Sequence, residues 1–187
     1  MNLIKARAVV EALVFASSEP IRLRELAEIL EIDEHTVRQL LFDISEDYQK
    51  NRRGIQMVEV GGGFQFVTNS ECAEYVEKLR QNPRQVGLST AAIETLAIIV
   101  YKQPITRAEI EALRGVRVDS AIATLVERDL IREAGRKDAP GKPILYATTK
   151  KFLTYFGLKD LKELPSLEDW STGQGVLSNG SEGKQAE

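Results

Sequence analysis

One hydrophobic pattern occurs in this sequence and recurs 84 residues later. Both copies have a helix-breaking proline followed by isoleucine, and apolar residues follow at the same intervals. The matched positions are Ala12–Ala16 with Leu96–Val100, Pro20-Ile21 with Pro104-Ile105, Glu25 with Glu109, Leu26 with Ile110, Ile29 with Leu113, Ile32 with Val116 and Leu41 with Leu125. A repeat of this length indicates that the chain folds as two copies of one module.

The first copy predicts three helices followed by a β-hairpin. Apolar residues recur at helical spacing over 3–16, 22–30 and 33–48. Asp33 is well suited to cap the third helix, because its carboxylate can accept hydrogen bonds from free amides of the first turn. Residues 55–69 then indicate two strands joined at Gly61–Gly63, where a tight turn needs residues that accept positive φ. This order of elements is typical of a winged helix.

The second copy repeats this order of elements, and its second helix has a better capping sequence than that of the first copy. Thr106 and Glu109 have the spacing of a capping box, in which both side chains accept hydrogen bonds from backbone amides of the first turn. The first copy has Arg22 in place of the threonine. The second wing consists of a strand from Leu130, a long turn over 135–143 and a returning strand over 144–149. We therefore predict an α+β, mainly helical fold class with two tandem winged-helix domains and a disordered C-terminal tail.

Composition indicates where the domains end. The stretch RQNPRQVG combines proline, glycine and polar residues, and the C-terminal stretch is rich in glycine and serine. The predicted organisation is 1–80 for the N-terminal winged-helix domain, 81–87 for a linker, 88–165 for the C-terminal winged-helix domain and 166–187 for the disordered tail. Residues 70–80 predict a short helix with one apolar face, formed by Cys72, Tyr75, Val76 and Leu79.

Charge is distributed unevenly along an otherwise ordinary composition. The chain of 187 residues has a formal net charge of −3 and is 43% hydrophobic, as in soluble globular proteins. Lys and Arg number ten against fourteen Asp and Glu over residues 1–80, but thirteen against nine over 81–160. The longest apolar run, Leu96–Tyr101, is far shorter than the about 20 residues that a membrane-spanning helix needs. We expect a cytoplasmic protein with no membrane contact.

The residue types that usually perform catalysis are scarce. The one histidine, His35, stands beside Glu34 near the start of a helix, and the one cysteine, Cys72, fits a small core position. Gly61–Gly63 lacks the Gly-Lys-Ser/Thr ending of a phosphate-binding loop. We therefore expect no catalytic residue, no cofactor and no metal site, in a protein that is not an enzyme. The aromatic residues expected in the core, with a stacking platform as the alternative, are Tyr101, Tyr146, Tyr155 and Phe156.

Winged helices often bind DNA, so a DNA-binding transcriptional regulator is the main alternative reading. A recognition helix must approach phosphates closely. The third helix of the first copy has five acidic residues against Arg38 and Lys50, and the corresponding segment at 119–130 is small, apolar and acidic. The second wing is basic, and its candidates for phosphate contact are Arg136, Lys137, Lys150 and Lys151. We expect DNA binding to be at most weak and non-specific.

Three stretches together carry a family resemblance: EALVFASSEPIRLRELAEIL at 11–30, LSTAAIETLAIIVYKQPITRAEIEALRGV at 88–116 and GRKDAPGKPILYATTKKFLTYFGLKDLKELP at 135–165. They resemble segregation and condensation protein B, a family of bacterial proteins associated with the SMC ATPase and its kleisin subunit. The most specific matches are Pro140, Gly141, Lys142, Pro143, Leu145, Tyr146, Thr148, Thr149, Phe152, Phe156, Gly157 and Leu158. Lys142 stands where arginine is commoner in the family, and Arg22 where a small or polar capping residue is commoner.

This resemblance implies a homodimer that forms through the first domain and a second domain that helps to hold the kleisin. The implied function is that of a non-enzymatic subunit of the SMC–kleisin condensin complex, associated with the nucleoid and supporting chromosome condensation and segregation. For contact with the partner we predict residues of the second domain, namely Tyr101, Arg107, Leu113, Arg117, Lys142, Tyr146 and Phe152. For the dimer we predict apolar residues of the first helix and of the strands of the first wing.

Overall fold

The structure is a computed structural model that describes residues 2–79 and 87–166. The described residues form two compact units, the first made of 2–79 with 160–166 and the second of 87–159. Residues 81–86 of the predicted linker and 167–187 of the predicted tail lie outside the described residues.

The first unit has the predicted order of three helices and a hairpin among residues 2–79. Its elements are α1 (Leu3–Ala16), α2 (Leu23–Leu30), α3 (Glu34–Lys50), β1 (Ile55–Val60), β2 (Gly63–Thr68), a 3₁₀ helix (Ser70–Cys72) and α4 (Ala73–Leu79). The carboxylate of Asp33 accepts a hydrogen bond from the amide of Thr36 at 2.8 Å and so caps α3. Within the described residues the side chain of Arg22 forms no capping hydrogen bond at the start of α2. Both helix starts agree with the sequence.

The hairpin of the first unit depends on glycine for two separate reasons. Gly61 and Gly62 form the turn with positive φ values of 59° and 75°, which glycine adopts with less strain than residues that carry a Cβ. Gly63 needs to be small, because a Cβ there would lie 2.6 Å from the carbonyl oxygen of Pro20. The loop that precedes α2 can therefore lie directly against the wing.

A backbone bridge fixes this loop to the wing and leads into the core. Ile21 and Phe64 exchange hydrogen bonds, with N···O distances of 3.0 and 2.8 Å. Ile21 is itself buried among side chains from α1, α2 and α3. The most completely buried members of this core are Val10, Val14, Leu26, Val37, Leu41 and Ile44.

The second unit repeats this architecture with one more strand in its sheet. Its elements are α5 (Thr90–Lys102), β3 (Ile105–Thr106), α6 (Arg107–Arg114), α7 (Asp119–Glu127), β4 (Ile131–Arg136), β5 (Ile144–Thr148) and α8 (Lys150–Phe156). β5 lies between β3 and β4 and is antiparallel to both. The capping box predicted at Thr106 and Glu109 is present. The predicted α+β, mainly helical fold with two tandem winged helices is confirmed.

The helix α8, which the sequence pattern did not predict, closes the second unit. Thr149 caps it by accepting a hydrogen bond from the amide of Phe152 at 3.2 Å. Phe152 is 3% exposed and belongs to the core. Tyr155 and Phe156 are 53% and 47% exposed, so the expectation that they lie in the core is wrong. They lie in the last turn of the helix, where the centroids of the Phe156 and Phe152 rings are 4.9 Å apart and the ring planes are tilted by 44°.

The 84-residue pairing is wrong over the first helix of the repeat. Buried Ala6 and Val10 of α1 correspond to buried Ala92 and Leu96 of α5, an offset of 86 residues. From the following isoleucine onward the offset of 84 gives buried pairs, including Ile21 with Ile105, Leu26 with Ile110 and Leu41 with Leu125. The shift arises because the connection from α5 to Ile105 is two residues shorter than the connection from α1 to Ile21.

The apolar face predicted for residues 70–80 is not buried. None of the residues of α4, all within the described range, is buried, and Tyr75 and Leu79 are 72% and 82% exposed. Cys72 ends the 3₁₀ helix and is half-buried. The expected core position of Cys72 is therefore wrong, because the core of this unit is formed by α1, α2, α3 and the hairpin.

Candidate partner-binding surfaces

A shallow groove lies between the end of α5 and the outer side of α6. Its volume is about 370 Å³, and it is lined by Lys102, Pro104, Ile105, Glu109, Ala112 and Leu113. Leu113 is 60% exposed, whereas Ile110, one turn earlier on α6, is buried in the core. An apolar hollow with a few charged groups at its rim is typical of surfaces that bind a peptide segment.

Glu109 joins α6 to the second wing at the rim of this groove. Its Oε2 accepts hydrogen bonds from the amide and hydroxyl of Thr106 at 2.9 and 2.7 Å, and its Oε1 accepts one from Nζ of Lys137 at 2.6 Å. The Lys137 ammonium, followed by Thr106, lowers the pKa of Glu109 to about 2. The carboxylate is therefore ionised at neutral pH, and it links the helix to the wing.

The predicted partner contacts of the second unit differ in exposure. Arg107, Leu113, Arg117 and Lys142 are exposed, Tyr101 and Tyr146 are half-buried, and Phe152 is buried. Leu113 lines the groove, whereas Arg107 is held beside it by ion pairs with Asp119 and Glu111. Any effect of Phe152 on a partner must act through the core that carries the surface.

The basic residues predicted for phosphate contact are exposed, but two of them already form an ion pair or a hydrogen bond within the protein. Lys137 pairs with Glu109, and the guanidinium of Arg136 donates to the carbonyl oxygen of Lys142 at 3.0 Å. Lys150 and Lys151 are exposed at the start of α8. The wing therefore offers less positive charge to a phosphate than a count of its lysines and arginines suggests.

The helices that would enter a DNA groove expose apolar and acidic side chains. On α3, Phe42 is 60% exposed, and Asp43 beside it is also exposed. On α7, Asp119 and Glu127 are exposed at either end, and Val126 is 44% exposed. Such surfaces repel phosphate groups and suit contact with polypeptide.

The first unit has an apolar hollow between α1 and its wing. Its volume is about 310 Å³, and it is lined by Ala8, Glu11, Ala12, Phe15, Tyr48, Ile55 and Phe66. The Tyr48 hydroxyl donates a hydrogen bond to the Glu11 carboxylate at 2.6 Å, and this bond raises the pKa of the tyrosine. Because these polar groups bind each other, the hollow presents a mainly apolar surface. The hollow lies between α1 and the first wing, which are the two elements predicted to form the dimer contact.

Residues 2–79 and 87–166 show no group of three His, Cys, Asp or Glu side chains that could hold a metal ion. His35 is exposed at the start of α3, as predicted. In the same residues no helix is both long and apolar enough to cross a membrane.

Several groove residues were not identified from the sequence. Lys102, Pro104, Glu109 and Ala112 line the groove. The repeat itself carried a signal: Ile29 and Leu113 occupy matching positions and are 52% and 60% exposed. Leu113 was predicted as a partner contact from the sequence, but the matching pattern alone does not separate a shared core position from a shared surface position.

The comparisons with known proteins identify a family. The model of a protein family described as "Segregation and condensation complex subunit ScpB" matches this sequence over residues 8–167. The segregation and condensation protein B of Symbiobacterium thermophilum is 50% identical over 171 residues, which cover 91% of this chain and 78% of the relative. That of Desulforamulus reducens is 50% identical over 166 residues, which cover 89% and 91%. A crystal structure of an ScpB N-terminal domain dimer with an ScpA peptide is 40% identical, covers 41% of this chain and 96% of that chain, and has a TM-score of 0.40. The chain belongs to the ScpB family of segregation and condensation complex subunits.

Proposed function

We propose that this protein is a non-enzymatic, homodimeric subunit of a bacterial SMC–kleisin complex, which binds the kleisin ScpA and through it acts on the SMC ATPase. The observation that carries the proposal is the family match over residues 8–167, which extends across both units. The relatives are about 50% identical along nearly the whole described chain. In this role the protein works in the cytoplasm at the nucleoid, where it supports chromosome condensation and segregation.

The two units have separate tasks in this proposal. The first unit forms the dimer, and its apolar hollow beside α1 supports this assignment. The second unit contributes to kleisin binding through the groove along α6, where Leu113 is exposed and Arg107, Arg117 and Lys142 lie on the exposed surface of the same unit. Two such grooves in a dimer raise the effective concentration of one flexible partner chain.

Direct contact with DNA is a minor part of this proposal. Arg136, Lys137, Lys150 and Lys151 offer sequence-independent phosphate contact from the second wing. Because such contact releases counterions, its affinity should fall steeply as salt rises. The acidic and apolar surfaces of α3 and α7 argue against a transcriptional regulator that reads bases.

Sedimentation and calorimetry test the proposed assembly. The full chain should sediment as a dimer at about 10 µM and bind the linker segment of the cognate ScpA with a Kd in about the micromolar range or tighter. Replacing Leu113→Glu should weaken this binding about tenfold or more, because it places a charge in the groove. Ile29→Glu is the matched control at the same place in the first unit and should leave the affinity unchanged. A monomeric chain that binds no ScpA segment would overturn the proposal.

A further inference from the structure

We propose that Arg114 is a positioning residue for the groove of the second unit: its guanidinium clamps α6 against α5 and so sets the distance between the two walls of the groove. The inference rests on the proposed function, which assigns the kleisin to this groove. It names a residue that controls how well the partner binds, although the described lining of the groove does not include Arg114.

The groove has its two walls on different helices. Three of its six lining residues belong to α6, and the other three lie at the end of α5 or directly after it. A movement of α6 relative to α5 therefore changes both the width of the groove and the position of Leu113, its exposed apolar residue. Walls that are held in the binding arrangement beforehand increase affinity, because less ordering is needed on binding. Contacts that fix α6 on α5 should therefore affect binding.

The hydrophobic core holds α6 less firmly than it holds the matching helix of the first unit. Both helices have eight residues, all within the described range. In α6 only Ile110 is buried, whereas α2 buries Leu26, Ala27 and Leu30. Fewer buried apolar side chains give a smaller hydrophobic contribution to the packing of the helix. The helix α6 therefore depends more on other contacts to keep its place.

Arg114 supplies such a contact between α6 and α5. Its Nη1 donates a hydrogen bond to the hydroxyl of Thr95 at 3.1 Å, and its Nη2 pairs with the Glu94 carboxylate at 2.6 Å. The side chain of Arg114 is 11% exposed and Thr95 is fully buried, so salt screens this contact less than it screens a surface pair. The Thr95 hydroxyl in turn donates to the carbonyl oxygen of Ala91 at 2.8 Å. Two acceptors on successive residues fix the planar guanidinium in position and orientation.

The first unit has apolar residues where the second unit has this clamp. At the offset of 84 residues Arg114 corresponds to Leu30, which is 7% exposed. At the offset of 86 residues that applies to the first helix of the repeat, the two acceptors correspond to Ala8 and Val9. Val9 packs against the core of the first unit. Because the fold also accepts apolar contact here, the clamp is not a requirement of the fold, which favours a role in the groove between the clamped helices.

Removal of the clamp tests its effect on the groove. Arg114→Leu introduces the side chain that the first unit has at this place, and leucine is a good helix former. In the full chain the α6 amides should exchange about tenfold faster, as expected for the loss of a charged hydrogen bond. The Kd for the linker segment of ScpA should rise about fivefold or more. Arg24→Leu on α2 is the matched control, because its exposed ion pair with Glu28 lies within one helix. It should change neither measurement.

A triple variant separates positioning from direct contact with the partner. Glu94→Ala, Thr95→Val and Arg114→Leu together give the second unit the apolar residues of the first, which should hold α6 without charge. If Arg114 acts by positioning α6, this variant should recover both the slow exchange of the α6 amides and most of the affinity. A triple variant with slow exchange but weak binding would show that the charged side chains contact the partner themselves, and the inference would be wrong.

The remaining outcomes separate this inference from the proposed function. A wild-type chain that binds no ScpA segment removes the proposed function and this inference with it. If the wild type binds the segment and Arg114→Leu binds it equally well, only the role of Arg114 is overturned. If Arg114→Leu does not fold, Arg114→Lys decides the question. Lysine keeps the charge but lacks the planar fork that reaches both acceptors, so its α6 amides should exchange faster and its affinity should fall; an unchanged affinity would overturn the inference.

Discussion

The two units of this protein share one fold but complete it differently. In the second unit, β3 pairs with β5, a capping box starts α6, and Phe152 of α8 lies in the core. In the first unit, the place of β3 is taken by an isolated bridge between Ile21 and Phe64, and α2 starts at Arg22. None of the residues of its helix α4 is buried.

This difference shows how each unit covers its hydrophobic core. The second unit closes its core with a helix of its own, and Lys137 fixes its wing to α6. The first unit leaves apolar residues of α1 and α4 exposed, including Phe15 and Tyr75. The second unit should therefore withstand local opening better than the first. Four pairs of substitutions test this contrast, and native-state hydrogen exchange of the full chain reports on each unit separately.

The largest effect is expected for the helix that closes the second unit. Phe152→Ala removes a ring that is 3% exposed and should lower the opening free energy of β5 and α5 amides by about 3–5 kcal/mol. Tyr75→Ala on α4 is the matched change in the first unit. Because Tyr75 is 72% exposed, its removal should change the stability by about 0.5 kcal/mol or less. Equal effects of the two substitutions would contradict the contrast between α8 and α4.

The next effect concerns the backbone contact that replaces β3 in the first unit. Gly63→Ala places a Cβ 2.6 Å from the carbonyl oxygen of Pro20, so the loop and the wing must separate. We expect a loss of about 1–3 kcal/mol in the first unit, seen as faster exchange of the Ile21 and Phe64 amides. Gly54→Ala is the control, since its Cβ would meet only Sγ of Cys72 at 3.8 Å. If both variants exchange like the wild type, the close approach does not support the hairpin.

A smaller effect is expected when the residues that cap α6 and α2 are substituted. Thr106→Ala removes the capping box of α6 and should cost about 1 kcal/mol in the second unit. Arg22→Thr should stabilise the first unit by a similar amount, about 1 kcal/mol, because Glu25 already stands where the box needs its second member. Exchange of the α2 and α6 amides measures both changes. A destabilised first unit in Arg22→Thr would show that Arg22 has another role.

Much of this contrast was visible in the sequence because it depends on local chemistry. The capping box at Thr106, the missing cap at Arg22 and the glycine turn of the first wing depend on neighbouring residues. Local patterns therefore predicted the starts of α2, α3 and α6, both hairpins and the repeat of the module.

The unpredicted features depend on contacts between distant segments. Alanine and phenylalanine at positions 12 and 15 fit a helix core as well as a helix surface, and the pairing at 84 residues matched them to buried residues. The shorter connection after α5 moves this match by two residues. The groove was missed for the same reason, because Lys102 and Ala112 meet only when α5 and α6 pack.

The smallest expected effect is the charge that fixes the second wing. Glu109→Gln keeps an acceptor for Thr106 but removes the attraction to Lys137. The pKa of Glu109 lies at about 2, below its ordinary value of 4.5, so the folded state favours the charged form. Its contribution is complete at neutral pH and is lost as the pH falls from about 4.5 towards 2. The difference in hydrogen exchange of the β4 and β5 amides between wild type and Glu109→Gln should therefore be constant from about pH 7 to 5 and shrink below that.

The control is Lys137→Met, which keeps the Glu109 carboxylate. If this variant loses the pH dependence, the Lys137 ammonium is its cause. If the pH dependence persists unchanged in Lys137→Met, the capping contact with Thr106 is responsible, and the second wing does not depend on the ion pair between Lys137 and Glu109.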